Sequence, residues 1–113
     1  MKIVVKYLAE QHPSLLQLSV FEAPHRRMHV SAIQHYREHL YFACAKAGIA
    51  MPIDHPVDLS VIFIDPTSPG LDNLIMALFR AMDGHTLKKP AVLTSDGLIS
   101  KVTMSTLFHT RKK

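Results

Sequence analysis

The sequence predicts a small α/β (α+β) domain in which two helices pack on a mixed sheet. Short runs rich in β-branched and aromatic residues indicate strands, and two longer segments with apolar residues spaced three or four apart indicate helices. A chain of 113 residues is long enough for one hydrophobic core and too short for two. We therefore expect residues 1–113 to form a single domain with the element order ββαβαβ.

The first half of the chain predicts a hairpin followed by a helix. Lys2–Leu8 and Leu15–Phe21 are expected to pair as strands, because the residues 11–13 between them include a proline that interrupts extended structure. Ser31 is a suitable N-cap for the first helix, and Gly48 is a suitable residue to end it. The stripe predicted to face the core consists of Ile33, Tyr36, Leu40, Ala43, Cys44 and Ala47.

The second half predicts a strand, a helix and a final strand. Val57–Ile64 is apolar on both faces in its second half, which is typical of a central strand. The second helix is expected to begin after Gly70 and to end at Asp83-Gly84. The last strand should run from about Leu98 to Phe108. The core stripe of the second helix consists of Leu71, Leu74, Ile75, Leu78, Phe79 and Met82.

Composition narrows the classes of protein to consider. Thirteen Lys and Arg against nine Asp and Glu give a net charge of +4, which favours a polyanionic partner without proving one. The single cysteine, Cys44, excludes an intrachain disulfide, fits a reducing compartment and is expected to be a small core residue. No segment approaches the roughly 20 apolar residues of a membrane helix, and no signal peptide is visible. We expect a cytoplasmic protein without membrane contact.

Two histidines on the first helix raise a metal hypothesis. The run HYREH, from His35 to His39, matches the H-x-x-E-H pattern of one class of zinc proteases. That class needs a further glutamate ligand downstream, and the three glutamates, Glu10, Glu22 and Glu38, all lie before or within the motif. Both histidines also fall opposite the apolar stripe. We therefore interpret them as part of a polar helix face.

Three aspartates lie at boundaries between predicted elements. Asp65 ends a strand, Asp72 opens a helix and Asp96 precedes the last strand, so the three are candidates to converge at one edge of the sheet. Carboxylate oxygens are the ligands that Mg²⁺ prefers, and a bound water can attack a phosphodiester. The plainer interpretation is that Asp72 caps a helix and the others belong to turns. Spacing alone favours that interpretation.

The local pattern adds a resemblance to a known family. The run LDNLIMALFRAMDG, the later SDGLISKV and the upstream MHVSAIQHYREHL resemble the RusA family of Holliday junction resolvases, which are common in phages and prophages. The resemblance implies a homodimeric, Mg²⁺-dependent endonuclease that binds four-way DNA junctions and nicks two opposing strands. It also implies that Asp72 and Asp96 are catalytic metal ligands, matching one member each of the family's two acidic pairs.

The sequence departs from the family pattern at three positions. Gly70 stands where the family has the first aspartate of its Asp-x-Asp, and Ser95 replaces the first member of the downstream pair. Met76 replaces a lysine that could stabilise transition-state charge. Losing a carboxylate should weaken Mg²⁺ binding, and Asp65 is a candidate substitute ligand.

Three functions follow from this resemblance and its departures. The first is a resolvase acting in recombination and repair. The second is an impaired relative that binds branched DNA without cutting it, and the third is a non-enzymatic interaction protein. For either DNA-binding function, the expected contacts lie in two basic pairs within loops: Arg26, Arg27, Lys88 and Lys89. Each of these four side chains is more simply explained as a solvated charge.

Overall fold

The computed structural model describes residues 2–22, 30–66, 70–84 and 91–108, with side chains of the first helix described from residue 33 onward. The elements are β1 (Lys2–Leu8), β2 (Ser14–Phe21), α1 (Val30–Lys46), β3 (Val57–Ile64), α2 (Leu71–Met82), a 3₁₀ turn (Asp96–Leu98) and β4 (Ile99–Leu107). The predicted order ββαβαβ is confirmed. Because α1 begins at Val30, Ser31 lies inside the helix and is not its N-cap.

The four strands form one mixed sheet in the order β1-β2-β3-β4. β1 pairs antiparallel with β2, as the predicted hairpin requires, whereas β2–β3 and β3–β4 pair in parallel. β3 is therefore central, as its apolar sequence predicts. α1 connects β2 to β3, and α2 connects β3 to β4. Both connections are expected to be right-handed and both move across the sheet in the same direction, so both helices lie on the same face of the sheet.

The core lies between that face and the two helices. In register across the sheet, Val5 pairs with Leu18 and Leu18 with Val61, and the latter two side chains are buried. α1 contributes Leu40 and α2 contributes Leu78, both fully buried. On the opposite face the side chains that are exposed include Val4, Ile62 and Leu107. Within the ranges that the structure describes, the domain is thus a two-layer sandwich with one open sheet face.

The C-terminal end of α1 shows how local sequence fixes a boundary. The N–H of Ile49 donates to the carbonyl of Cys44 (3.1 Å) and the N–H of Gly48 donates to that of Ala45 (3.0 Å), which is a Schellman motif. Gly48 adopts φ +84°, a conformation that glycine takes without a Cβ penalty. Cys44 is fully buried, as predicted, and burial raises the pKa of its thiol to about 12.

The helices bury somewhat different faces from those predicted. In α1, Tyr36 and Leu40 are buried as expected, but Ala47 is exposed and the polar Arg37 is buried. In α2 the buried face also includes two small residues, Ala77 and Ala81, while Leu71 at its start is exposed. Neither described helix is long and apolar enough to cross a membrane.

The buried Arg37 connects α1 to the end of α2. Its Nη1 donates to the carbonyl of Asp83 (2.8 Å) and its Nη2 donates to the carbonyl of Arg80 (2.9 Å). These carbonyls lie at the C-terminal end of α2, where a cation also complements the helix dipole. Burial lowers the pKa of Arg37, and the charge of Asp83 opposes that effect. The guanidinium therefore satisfies helix carbonyls that have no intrahelical partner.

Replacing Arg37 with Met should destabilise the domain strongly. The substitution keeps much of the side-chain volume but leaves two partly buried carbonyls without their donor, and hydrogen bonds from a charged group contribute more than neutral ones. We expect the free energy of unfolding, measured by urea denaturation, to fall by about 3 kcal/mol. Arg80→Met is the matched control, since that side chain is exposed and only its backbone is used. Equal losses in both variants would contradict the role assigned to Arg37.

Candidate functional site

Asp72 lies in the first turn of α2 and is exposed to solvent. The N-cap of this helix is Gly70, which has an extended backbone and no side chain to accept a capping hydrogen bond. The simple capping role considered for Asp72 is therefore not what the structure shows. Its negative charge is still favourable at this position because it faces the positive end of the helix dipole. The carboxylate is available to a ligand from solvent.

Position 70 lies directly beside this carboxylate. A Cβ added to Gly70 would stand 3.1 Å from Oδ1 of Asp72 and 2.8 Å from Nδ2 of Asn73. The contact with Asn73 involves the end of a side chain that can rotate away. A carboxylate at position 70 would therefore share one small region with that of Asp72. The resemblance noted in the sequence predicts a pair of carboxylates at these two positions, and this chain has only that of Asp72.

Asp65 lies at the same end of the sheet as Asp72. It directly follows β3, and its N–H donates to the carbonyl of Leu107 at the end of β4 (2.8 Å). Its φ of +48° is in the left-handed region, which turns the chain sharply away from the sheet. Since α2 starts a few residues later, Asp65 and Asp72 both lie at the carboxyl ends of the parallel strands.

Asp96 lies at the other end of α2. Its backbone N–H donates to Oδ1 of Asp83 (3.1 Å), the residue that caps the C-terminus of this helix. A helix of twelve residues is about 18 Å long. Asp72 and Asp96 are therefore separated by roughly the length of α2, too far for one ion to contact both. Within one chain, Asp65 therefore lies at the same end of the sheet as Asp72, whereas Asp96 lies at the opposite end.

The turn around Asp96 is organised by local hydrogen bonds. Oγ of Ser95 accepts from the N–H of Gly97 (3.1 Å), so Ser95 caps the 3₁₀ turn. Ser95 thus has a structural use at the position where the family has an acid. Among the described residues, no group of three or more His, Cys, Asp or Glu side chains is arranged to hold a metal ion.

Met76 and the basic pairs complete the predicted site. Met76 is 63% exposed and lies one helical turn after Asp72, so a longer cationic side chain at this position would reach the same surface. Arg26, Arg27, Lys88 and Lys89 all lie outside the described residues, and their proposed DNA contacts stay predictions.

The histidine pair of α1 is on the helix surface, as predicted. His35 is exposed and His39 is half-buried. Their Nε2 atoms are 3.0 Å apart, and the rings meet edge to face with centroids separated by 4.5 Å. Partial burial lowers the pKa of His39, and the nearby His35 lowers it further.

Comparisons with known proteins give no independent assignment. No protein-family model matches this chain, and no curated protein or solved structure does so either.

A carboxylate introduced at position 70 should create a Mg²⁺ response. In Gly70→Asp, two carboxylates lie together and repel each other unless a cation binds between them. With a dissociation constant of about 1 mM, about 10 mM Mg²⁺ should raise the melting temperature by about 5 °C. Gly70→Asn, which adds similar bulk without charge, is the control and should not respond. Equal Mg²⁺ responses in the two variants would show that position 70 is not part of a cation site.

Proposed function

We propose that this protein binds four-way DNA junctions as a RusA-like homodimer and that one chain alone does not form a cutting site. The observation that carries the proposal is the geometry at position 70. By the resemblance, the carboxylate that Gly70 replaces would stand beside the exposed carboxylate of Asp72, at the carboxyl ends of the parallel strands. The net charge of +4 supports a polyanionic partner. The proposal includes a cytoplasmic location.

The carboxylates present in one chain do not fit a magnesium site. Mg²⁺ requires near-octahedral oxygen ligands at about 2.1 Å and is usually held by one or two carboxylates with waters and substrate phosphates. Asp72 has glycine beside it where a second ligand would stand, and Asp96 lies at the far end of α2. Two carboxylates lie at the same end of the sheet as Asp72 within the described ranges of a single chain. Asp65 directly follows β3, and Glu22 directly follows β2, where its N–H donates to the carbonyl of Ile64 (2.9 Å). The geometry therefore supports the part of the proposal that excludes cutting by one chain, whereas DNA binding is supported by the net charge and by the resemblance.

A second candidate, Mg²⁺-dependent cleavage, is favoured by the position of the aspartates at opposite ends of one helix. If two copies place α2 antiparallel across a two-fold axis, Asp72 of each copy meets Asp96 of the other. Such a dimer contains two equivalent sites, and two symmetric nicks in a junction require two sites related by symmetry. Asp96 would then act in a resolvase only in the dimer.

One experiment separates these candidates. The protein is incubated with a labelled four-way junction and with a linear duplex, with and without Mg²⁺, beside Asp72→Asn, Asp96→Asn and Gly70→Asp. We expect the unaltered protein to bind the junction in preference to the duplex without nicking it, and Gly70→Asp to gain Mg²⁺-dependent nicks. Symmetric nicks by the unaltered protein, lost in both Asn variants, would instead establish the resolvase. Failure to bind either DNA would contradict both candidates.

The basic pair Lys88-Lys89 provides a separate prediction about DNA contacts. If both side chains neutralise phosphates, changing both to Ala should weaken junction binding and reduce the slope of log affinity against log salt by about 2. Titrations at several salt concentrations measure this slope. The matched control is Lys6→Ala with Lys101→Ala, which removes the same charge from exposed strand positions. An equal change in the control would mean that net charge alone is responsible.

A further inference from the structure

His35 and His39 on α1 lie closer together than two polar side chains on a helix surface need to be. The residues are four apart, which places both rings on one side of the helix, one turn from each other. The two Nε2 atoms approach to 3.0 Å, which is the distance of a hydrogen bond between the two rings. The same arrangement is the starting point for binding one cation.

The separation of the nitrogens matches a chelated metal ion. If each metal–nitrogen bond is about 2.05 Å long, the two ligand nitrogens are about 3.3 Å apart when the N–metal–N angle is tetrahedral. They are about 2.9 Å apart when that angle is a right angle. The observed 3.0 Å is close to the right-angled value. Right angles between ligands are typical of tetragonal Cu²⁺ and Ni²⁺ sites, while Zn²⁺ prefers the tetrahedral angle. Only a few tenths of an ångström therefore separate the present rings from either geometry.

The surroundings leave such an ion open to solvent. His35 is exposed, and His39 lines a cleft of about 590 Å³ between α1 and the start of β1 together with Phe42, Lys46 and Lys2. No third His, Cys, Asp or Glu of the described residues joins the pair in a metal-binding arrangement. Water would complete the coordination, and the two lysines would weaken attraction for a cation only modestly because salt screens exposed charges. This environment suits an exchangeable ion and not a closed structural centre.

We propose that His35 and His39 form a two-histidine site for a late first-row divalent metal ion, with Cu²⁺ bound most tightly, as the general affinity order for such ligands predicts. The site lies on α1, away from the aspartates at the ends of α2, and its ligands are nitrogen. It therefore selects a different class of ion from the oxygen-ligated Mg²⁺ considered for those aspartates. The inference does not depend on DNA binding and is tested without DNA.

Isothermal titration of the full chain, prepared without a histidine tag and cleared of metal by chelation, tests the site. Ni²⁺ should bind with one ion per chain. His35→Gln and His39→Gln should each weaken binding about 100-fold, because the second imidazole is presented to the ion at a high effective concentration by the helix. The matched control is His12→Gln, which removes an exposed histidine from the turn between β1 and β2 and should leave the affinity unchanged.

Substoichiometric Cu²⁺ locates the ion directly. Its paramagnetism should broaden the amide NMR signals of residues 33–42 first, and the double variant His35→Gln/His39→Gln should lose that local effect. All variants change solvent-accessible side chains, so circular dichroism is expected to show the same folded state. If the double variant keeps its Ni²⁺ affinity, or if broadening centres elsewhere, the metal is held by some of the other six histidines and the proposal is overturned.

Discussion

The burial of one sheet face beneath two helices is the constraint on which the other features depend. The parallel pairs β2–β3 and β3–β4 each need a crossover helix, and both helices must lie on the same face to form one core. Small residues on α2, Ala77 and Ala81, are buried in this layer. Once the helices are in place, every helix start lies at one end of the sheet and every helix end at the other. The positions of the acidic residues follow from that arrangement.

Much of the fold was predictable because its signals are local. The alternation Leu16, Leu18, Val20 in β2 places one set of side chains inside, and this set is buried. Gly48 ends α1 through its own backbone conformation, a property visible from residue type. The start of α1 was less predictable, since Ser31 has the chemistry of a cap but the helix begins one residue before it. Helix boundaries depend on several weak preferences that tertiary packing can override.

The arrangement of the candidate site was harder to predict because it depends on distances through space. Asp65, Asp72 and Asp96 all lie at element boundaries, and boundary position does not reveal which end of the sheet a residue occupies. If the direction of α2 relative to the sheet had been known, Asp72 and Asp96 would have been assigned to opposite ends of the sheet. Sequence reasoning also missed Arg37, since a charged residue is normally assigned to the surface. Its only visible signal was position, one residue after the buried Tyr36.

Arg37 has a consequence for how the domain opens. Its side chain belongs to α1 and its acceptors lie at the end of α2, so separation of the helices would break two hydrogen bonds from a charged group. Partial opening of either helix alone is therefore costly. The two helices should behave as one cooperative unit in hydrogen exchange, in which their central amides open together at one free energy. The guanidinium of Arg37 thus adds a directional link between two helices that already share one apolar core.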